Sequence, residues 1–255
     1  MTITLPGLSG TVLVYFLVFA RTGAMVMLLP AIGEAGVPAR VRLIVALAIS
    51  LALAPTVAGS YPQQAPATVL ALALLLAQEV TAGILIGAMA RIIVSALSVA
   101  GFLIATQTGL AYAQTLDPTT HGEQGAVVGN FFSLLGVVLI FATNLHHLAI
   151  GAIAGSYHLI PPGTGLPTGD MAQLTIGLVS GSFALGFQLA APFLVFGFAV
   201  NAAFGVLARM MPQLQVFFVA MPVNILVGFI LLTLLLGSMM TLYLDFYTAQ
   251  MGAFL

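Results

Sequence analysis

The sequence contains no Cys, no Trp and no Lys, and charged side chains make up only 4% of its 255 residues. Each gap removes a class of function. Without Cys there is no disulfide, no thiolate metal site and no cysteine nucleophile. Five Arg are the only strong cations and the net charge is −1. Neutralising a phosphate backbone takes clustered Lys and Arg, so nucleic acid is excluded as a partner. An ordinary soluble domain carries roughly 25% charged residues. Six acids and five arginines cannot cover a water-facing surface of this size.

What is present is apolar. Hydrophobic residues make up 61% of the chain, and the mean hydropathy is +1.20. The class that follows is an integral membrane protein, whose surface faces lipid or other apolar protein. The opening residues, MTITLPGLSG, carry no basic side chain ahead of the first apolar run. Such a start reads as a retained helix, not a cleaved leader.

A spanning helix needs about 20 apolar residues. Four segments qualify early in the chain: residues 10–33 with Arg21, 39–54 ended by Pro55, 68–106 with Glu79 and Arg91, and 127–145. Turn-rich residues 30–38, a polar loop at 57–67 and a Pro/Gly-rich loop at 156–170 lie between or after them. The stretch 109–125, GLAYAQTLDPTTHGEQG, is the anomaly. It gathers Asp117, His121 and Glu123 within seven residues of an otherwise nearly uncharged chain. The fold class is thus all-α and polytopic.

The last third holds two runs without a formal charge, 171–208 and 210–244. As helices they would be about 50–57 Å long, well beyond a bilayer core. Either each breaks at its proline, Pro192 or Pro222, or each is one long bent helix whose excess is buried against other chains. The second is preferred, because neither proline is flanked by polar turn residues. The separator, ARMMPQLQ, suits a helical hairpin. Asn201 and Asn224 lie at similar sequence distances on either side of Pro212. Their amides could pair at one depth, or each could cap or kink its own helix. GILIG (Gly83, Gly87) and GAIAG (Gly151, Gly155) have the spacing that lets helix backbones approach closely. Arg40, Arg42 and Arg209 place the first loop and the late turn in the cytoplasm, with the N-terminus outside.

Candidate chemistry is sparse. His146 and His147 are adjacent and so point in two directions, which does not suit a metal on one helix face. Ser156 and His158 are near each other in sequence, but they fall in the Pro-rich loop. No phosphate cradle, catalytic set, metal site or cofactor site is expected. The ionisable residues at membrane depth are Arg21, Glu79 and Arg91, and such groups usually face a bundle interior, a cavity or a partner. Glu79 and Arg91 are too far apart on one helix to pair. Two readings of Glu79 follow. It is a structural ion-pair partner of another helix or subunit, or it is the coupling carboxylate of a small proton-coupled secondary transporter.

Four stretches, in order, resemble one family: residues 30–55 (PAIGEAGVPARVRLIVALAISLALAP), 78–118 (QEVTAGILIGAMARIIVSALSVAGFLIATQTGLAYAQTLDP), 144–163 (NLHHLAIGAIAGSYHLIPPG) and 191–229 (APFLVFGFAVNAAFGVLARMMPQLQVFFVAMPVNILVGF). The pattern is similar to the flagellar biosynthetic FliR proteins and their type III secretion counterparts, over nearly the whole chain. The resemblance implies a non-enzymatic core subunit of a type III protein-export gate in the bacterial inner membrane, at the flagellar basal body. One copy would assemble with FliP-type and FliQ-type subunits, with an FlhB-type switch subunit attached and membrane lipid around it, to pass unfolded flagellar proteins. Residues 1–255 would form one membrane domain, with 1–170 FliP-like and a FliQ-like hairpin at 171–255. The loop 109–125 would be the pore plug, carried by Leu110, Tyr112, Leu116, Asp117 and Pro118. Here it is smaller and more polar than is common in flagellar members. Glu79, Arg91, Asn201, Arg209, Gln213 and Asn224 would serve structural or inter-subunit contacts.

Overall fold

The computed structural model describes residues 10–34, 36–61, 68–111, 126–165, 167–210 and 216–254, with backbone alone at 126 and 216–220. Among these, every regular element is a helix: α1 Gly10–Val26, α2 Ala39–Val57, a single 3-10 turn Ala58–Ser60, α3 Val69–Gln107, α4 Ala126–Ala142, α5 His146–Leu159, α6 Thr168–Met210 and α7 Val216–Gly252. Four helical segments are long and apolar enough to cross a membrane: Ala39–Ser60, Val69–Gln107, Thr168–Met210 and Met221–Gly252. The protein is an all-α polytopic membrane protein.

Helix boundaries differ from the sequence expectation at four places, each with a local cause. α1 stops at Val26 and not at residue 33. The chain turns there through Ala31, which has a left-handed φ of 72°, and through Gly33, whose Cα lies against the Met27 backbone with no room for a side chain. α2 continues three residues past Ala54, with Pro55 inside its last turn. A proline that near the end removes one hydrogen bond, and the Ala58 N–H still reaches the Ala54 carbonyl. The apolar run expected as one helix from 127 to 145 ends at Ala142, and α5 departs from it at 78°. Asn144 sits at the bend with φ 59°, a conformation that Asn tolerates better than most residues. Finally, α5 runs to Leu159, so Ser156 and His158 are helical and the loop begins only at Ile160.

The two charge-free runs are continuous helices. α6 has 43 residues and passes through Pro192; α7 has 37 and passes through Pro222. Prolines are tolerated inside apolar helices where neighbouring helices, Ser/Thr side chains and local backbone adjustment re-satisfy the groups they free.

The chain groups into two compact units. One comprises Met1–Ile92, Phe141–Leu178 and Tyr247–Leu255; the other comprises Ile93–Ile140 and Val179–Phe246. In the first, α1 buries a stripe of paired positions: Leu17 and Val18, Arg21 and Thr22, Met25 and Val26. α3 meets this stripe through the small residues of GILIG. The Gly83 Cα rests against the Arg21 carbonyl, and a Cβ on Gly87 would stand 2.8 Å from the Met25 carbonyl oxygen. In the second unit α3 and α4 touch backbone to backbone at Gly101 and Gly129, and a Cβ on Gly101 would lie 2.6 Å from the Gly129 nitrogen. The Ser98 and Ser133 hydroxyls bond across the same seam at 2.8 Å. Close approach of small residues replaces the hydrophobic effect, which does not draw helices together in lipid.

Gly83→Val should therefore force α3 off α1. Overpacking of this kind costs about 1–3 kcal/mol. In detergent extracts of the assembly in which it is recovered, the chain should lose thermal stability and monodispersity, whereas Gly10→Ala, which meets open space, should leave both unchanged.

Candidate functional site

The most polar buried place in the first unit is built around Arg21. Arg21 and Glu79 are both 0% exposed. The guanidinium Nε donates to Glu79 Oε2 at 2.7 Å and Nη2 donates to Oε1 at 3.0 Å. This forked geometry is the strongest arrangement open to an arginine and a carboxylate. Two more guanidinium protons are taken up: Nη1 donates to Ser156 Oγ and Nη2 to the Ile160 carbonyl, both at 3.0 Å. The guanidinium carbon lies 3.9 Å from the centroid of the Tyr157 ring, a cation–π contact that gains strength where water is excluded. The Tyr61 hydroxyl donates to Glu79 Oε2 at 3.0 Å and lies 3.3 Å from the Tyr157 hydroxyl. Burial, with smaller contributions from Tyr157 and Glu79, pushes the Tyr61 phenol up, so it remains a proton donor.

One turn of α3 extends the network to the loop after α5. Gln78 Nε2 donates to the Pro161 carbonyl at 2.9 Å and to the Gly165 carbonyl at 3.3 Å, while its Oε1 accepts from the Gly163 N–H at 3.0 Å. Two adjacent residues of α3 thus hold α1, the segment after α2 and the loop after α5, while Arg21 itself holds the end of α5. With two forked bonds from Arg21 and one from Tyr61, both Glu79 oxygens are engaged. The arrangement clamps four segments, with both carboxylate oxygens taken up by Arg21 and Tyr61.

The other predicted residues are dispersed. Arg91 is half exposed and its side chain faces Glu34 of the first loop at 3.7 Å. Asn224 does not pair with Asn201. Its amide donates to the Gln107 carbonyl at 3.1 Å, at the C-terminal end of α3, while Asn201 is exposed. The amide supplies a partner for one of the carbonyls that a helix end leaves unsatisfied. Gly109 follows with φ 79°, the left-handed conformation in which helices commonly end. Arg209 is exposed in the last turn of α6, where a cation suits the helix dipole. Leu110 is half buried. Tyr112, Leu116, Asp117, Pro118 and Gln213 lie outside the described residues. His146 stacks on Phe141 with ring centroids 5.0 Å apart, and among the described residues no group of three His, Asp or Glu side chains could hold a metal ion.

Sequence reasoning singled out Arg21 and Glu79 but missed Tyr61 as the second donor to Glu79, Ser156 and Tyr157 as contacts of Arg21, and Gln78 as the link to the loop after α5. The usable signal was Arg21, a lone cation within an apolar run, which implied a matching carboxylate and additional acceptors elsewhere. Removing one partner of a buried ion pair leaves an uncompensated charge and costs about 3–5 kcal/mol. Arg21→Met alone and Glu79→Leu alone should each sharply lower the melting temperature of the purified chain. The double variant, with no charge left to satisfy, should recover a substantial part of the loss.

A model of the bacterial export proteins, family 1, matches residues 12–249. A flagellar biosynthetic protein FliR of Caulobacter vibrioides is 42% identical over 238 residues, 93% of this chain and 94% of that one. A flagellar biosynthetic protein FliR of Escherichia coli is 32% identical over 225 residues, 87% and 84% of the two chains. A Yop proteins translocation protein T of Yersinia pestis is 28% identical over 174 residues, 67% of this chain and 66% of that one. With a family model spanning residues 12–249 and a relative 42% identical over 93% of its length, the chain belongs to the bacterial export proteins, family 1.

Proposed function

We propose that this chain is a non-enzymatic, pore-forming core subunit of a flagellar type III export gate in the inner membrane, with its N-terminus in the periplasm. It assembles with FliP-type and FliQ-type subunits, associates with an FlhB-type switch subunit, and passes unfolded flagellar proteins. Family membership supports the export role, and the 42% identity to a flagellar protein favours the flagellar branch over the virulence branch.

One observation supports assembly with other chains. At about 1.5 Å per residue, the 43 residues of α6 measure about 65 Å and the 37 of α7 about 55 Å. Both exceed a hydrocarbon core of about 30 Å. Their apolar surface does not stop where a bilayer would. On α6 it includes Ile176, Phe183, Phe187, Val195, Phe198 and Val206. Apolar surface beyond the bilayer must be covered by protein. Pairing α6 and α7 as a FliQ-like hairpin at 171–255, behind a FliP-like part at 1–170, lets neighbouring hairpins provide that cover.

The polar stretch 109–125 is the natural plug in this reading. Non-helical backbone at membrane depth is tolerated where protein or water satisfies it, and a proline at 118 disfavours the helical region for the residue before it. Leu110, Tyr112 and Leu116 are the apolar side chains available to close the passage. The transporter reading of Glu79 has no support in the geometry, since its carboxylate is engaged by Arg21 and Tyr61.

Co-expression with FliP-type and FliQ-type subunits should yield one hetero-oligomer by native mass spectrometry, and the chain expressed alone should be poorly recovered. A stable free monomer that ignores those subunits would overturn the proposal. Deleting residues 110–122 should leave the complex assembled and make the membrane permeable to small solutes. Loss of assembly instead would make the loop a structural element and not a plug.

A further inference from the structure

Three of the chain's five arginines lie at one end of the first unit. Arg40 and Arg42 stand in the first two turns of α2, and Arg91 of α3 faces Glu34 of the intervening turn. The contacts connect these residues into one neighbourhood. Arg42 Nη1 lies 3.9 Å from Met27 Sδ, and the Met27 backbone packs on Gly33, next to Glu34. Glu34 is the one carboxylate among the described residues that meets any of the three arginines. Arg42 Nε is enclosed with no acceptor. The N-terminus of α2 has no side-chain cap and no acid in its first turn. Two arginines there oppose the helix dipole, whose positive end calls for an anion. A helix N-terminus and two guanidinium groups that no described carboxylate neutralises ask for the same kind of ligand.

The surface below them specifies its other half. Arg40, Ile44, Leu47 and Leu51 recur at the i, i+4, i+7, i+11 spacing and so form one stripe of α2. Ile44, Leu47 and Leu51 are 48–65% exposed. From Arg40 to Leu51 the stripe runs about 16 Å, the depth of one leaflet of a core about 30 Å thick. α2 has 19 residues, so its length fits the bilayer where α6 and α7 overrun it. That fit, together with the two arginines at the end of the stripe, favours lipid over a neighbouring subunit as the occupant of this face.

We propose that the N-terminal turn of α2 is a binding site for an anionic phospholipid. The headgroup phosphate sits against the Arg40 and Arg42 guanidinium groups and the first-turn N–H groups of α2, and one acyl chain lies along Ile44, Leu47 and Leu51. Arg91 and Glu34 border the site, and the pair contributes no net charge to it.

Native mass spectrometry of the full chain, extracted in the assembly in which it is recovered, tests this with added phosphatidylglycerol, phosphatidylcholine or inorganic phosphate. Phosphatidylglycerol adducts should persist and exceed those of phosphatidylcholine. A basic residue near a lipid surface contributes about 1 kcal/mol, so adduct affinity should fall roughly fivefold in Arg40→Gln and about twenty-five-fold in the double variant with Arg42→Gln. Arg209→Gln, an exposed arginine elsewhere, should change nothing, and an unaltered melting temperature of the double variant attributes its loss to the site. Three results would overturn the proposal: equal retention of the two lipids, unchanged retention in the double variant, or displacement of phosphatidylglycerol by excess inorganic phosphate. So would site-specific crosslinks from Ile44 and Leu47 to a protein subunit in place of lipid.

Discussion

The first unit depends on one buried ion pair. Arg21 and Glu79 have both left water completely, which is costly for either alone and acceptable only when every donor and lone pair is satisfied. That demand is what organises the neighbourhood. Arg21 needs acceptors and finds them on α3, α5 and the residue after α5; Glu79 needs donors and finds them on α1 and at Tyr61. Gln78, one residue before, repeats the pattern with the Pro161–Gly165 loop. In an apolar medium, van der Waals packing alone cannot tell one register from another. A pair of charges with fixed geometry can.

The small residues and the ion pair act together. Gly83 places the α3 backbone against the Arg21 carbonyl, and this closeness is what lets the Arg21 side chain reach back to Glu79 one turn earlier. In the second unit there is no described ion pair, and the same task falls to backbone contact at Gly101 and Gly129, to the Ser98–Ser133 bond, and to the Asn224 amide on the Gln107 carbonyl. The long helices α6 and α7 leave large apolar side chains uncovered over much of their length. A chain of this kind fits a role as one part of a larger apolar assembly, with its own polar contacts spent on holding its shape.

Composition was enough to read the class, because no soluble surface can be made from so few charges. The long charge-free runs were legible as single helices, because nothing near Pro192 or Pro222 supplies a turn. The resemblance in four ordered stretches pointed to the family. What the sequence concealed was local geometry. Asn144 ends a helix by adopting a left-handed conformation inside an apolar run, and no periodicity marks such a break. Arg91 was expected to face a bundle interior, a cavity or a partner, and the partner it meets is Glu34 of the first loop. Asn201 and Asn224 were symmetrical by counting, but a helix-end carbonyl at Gln107 is the acceptor that Asn224 reaches. The partners of Arg21 come from segments far apart in the chain, and spacing along the sequence carries no information about them.

The central claim is that the buried charges hold the structure and do no chemistry, in a protein whose work is the passage of other chains. It is tested most directly by the export of flagellar protein into the medium from cells whose sole copy carries Arg21→Met together with Glu79→Leu. Export should recover well above that of either single variant, because the matched apolar pair restores the contact between α1 and α3. A double variant that accumulates and assembles normally yet exports nothing would contradict the account, since the Glu79 carboxylate would then be required for the transport itself.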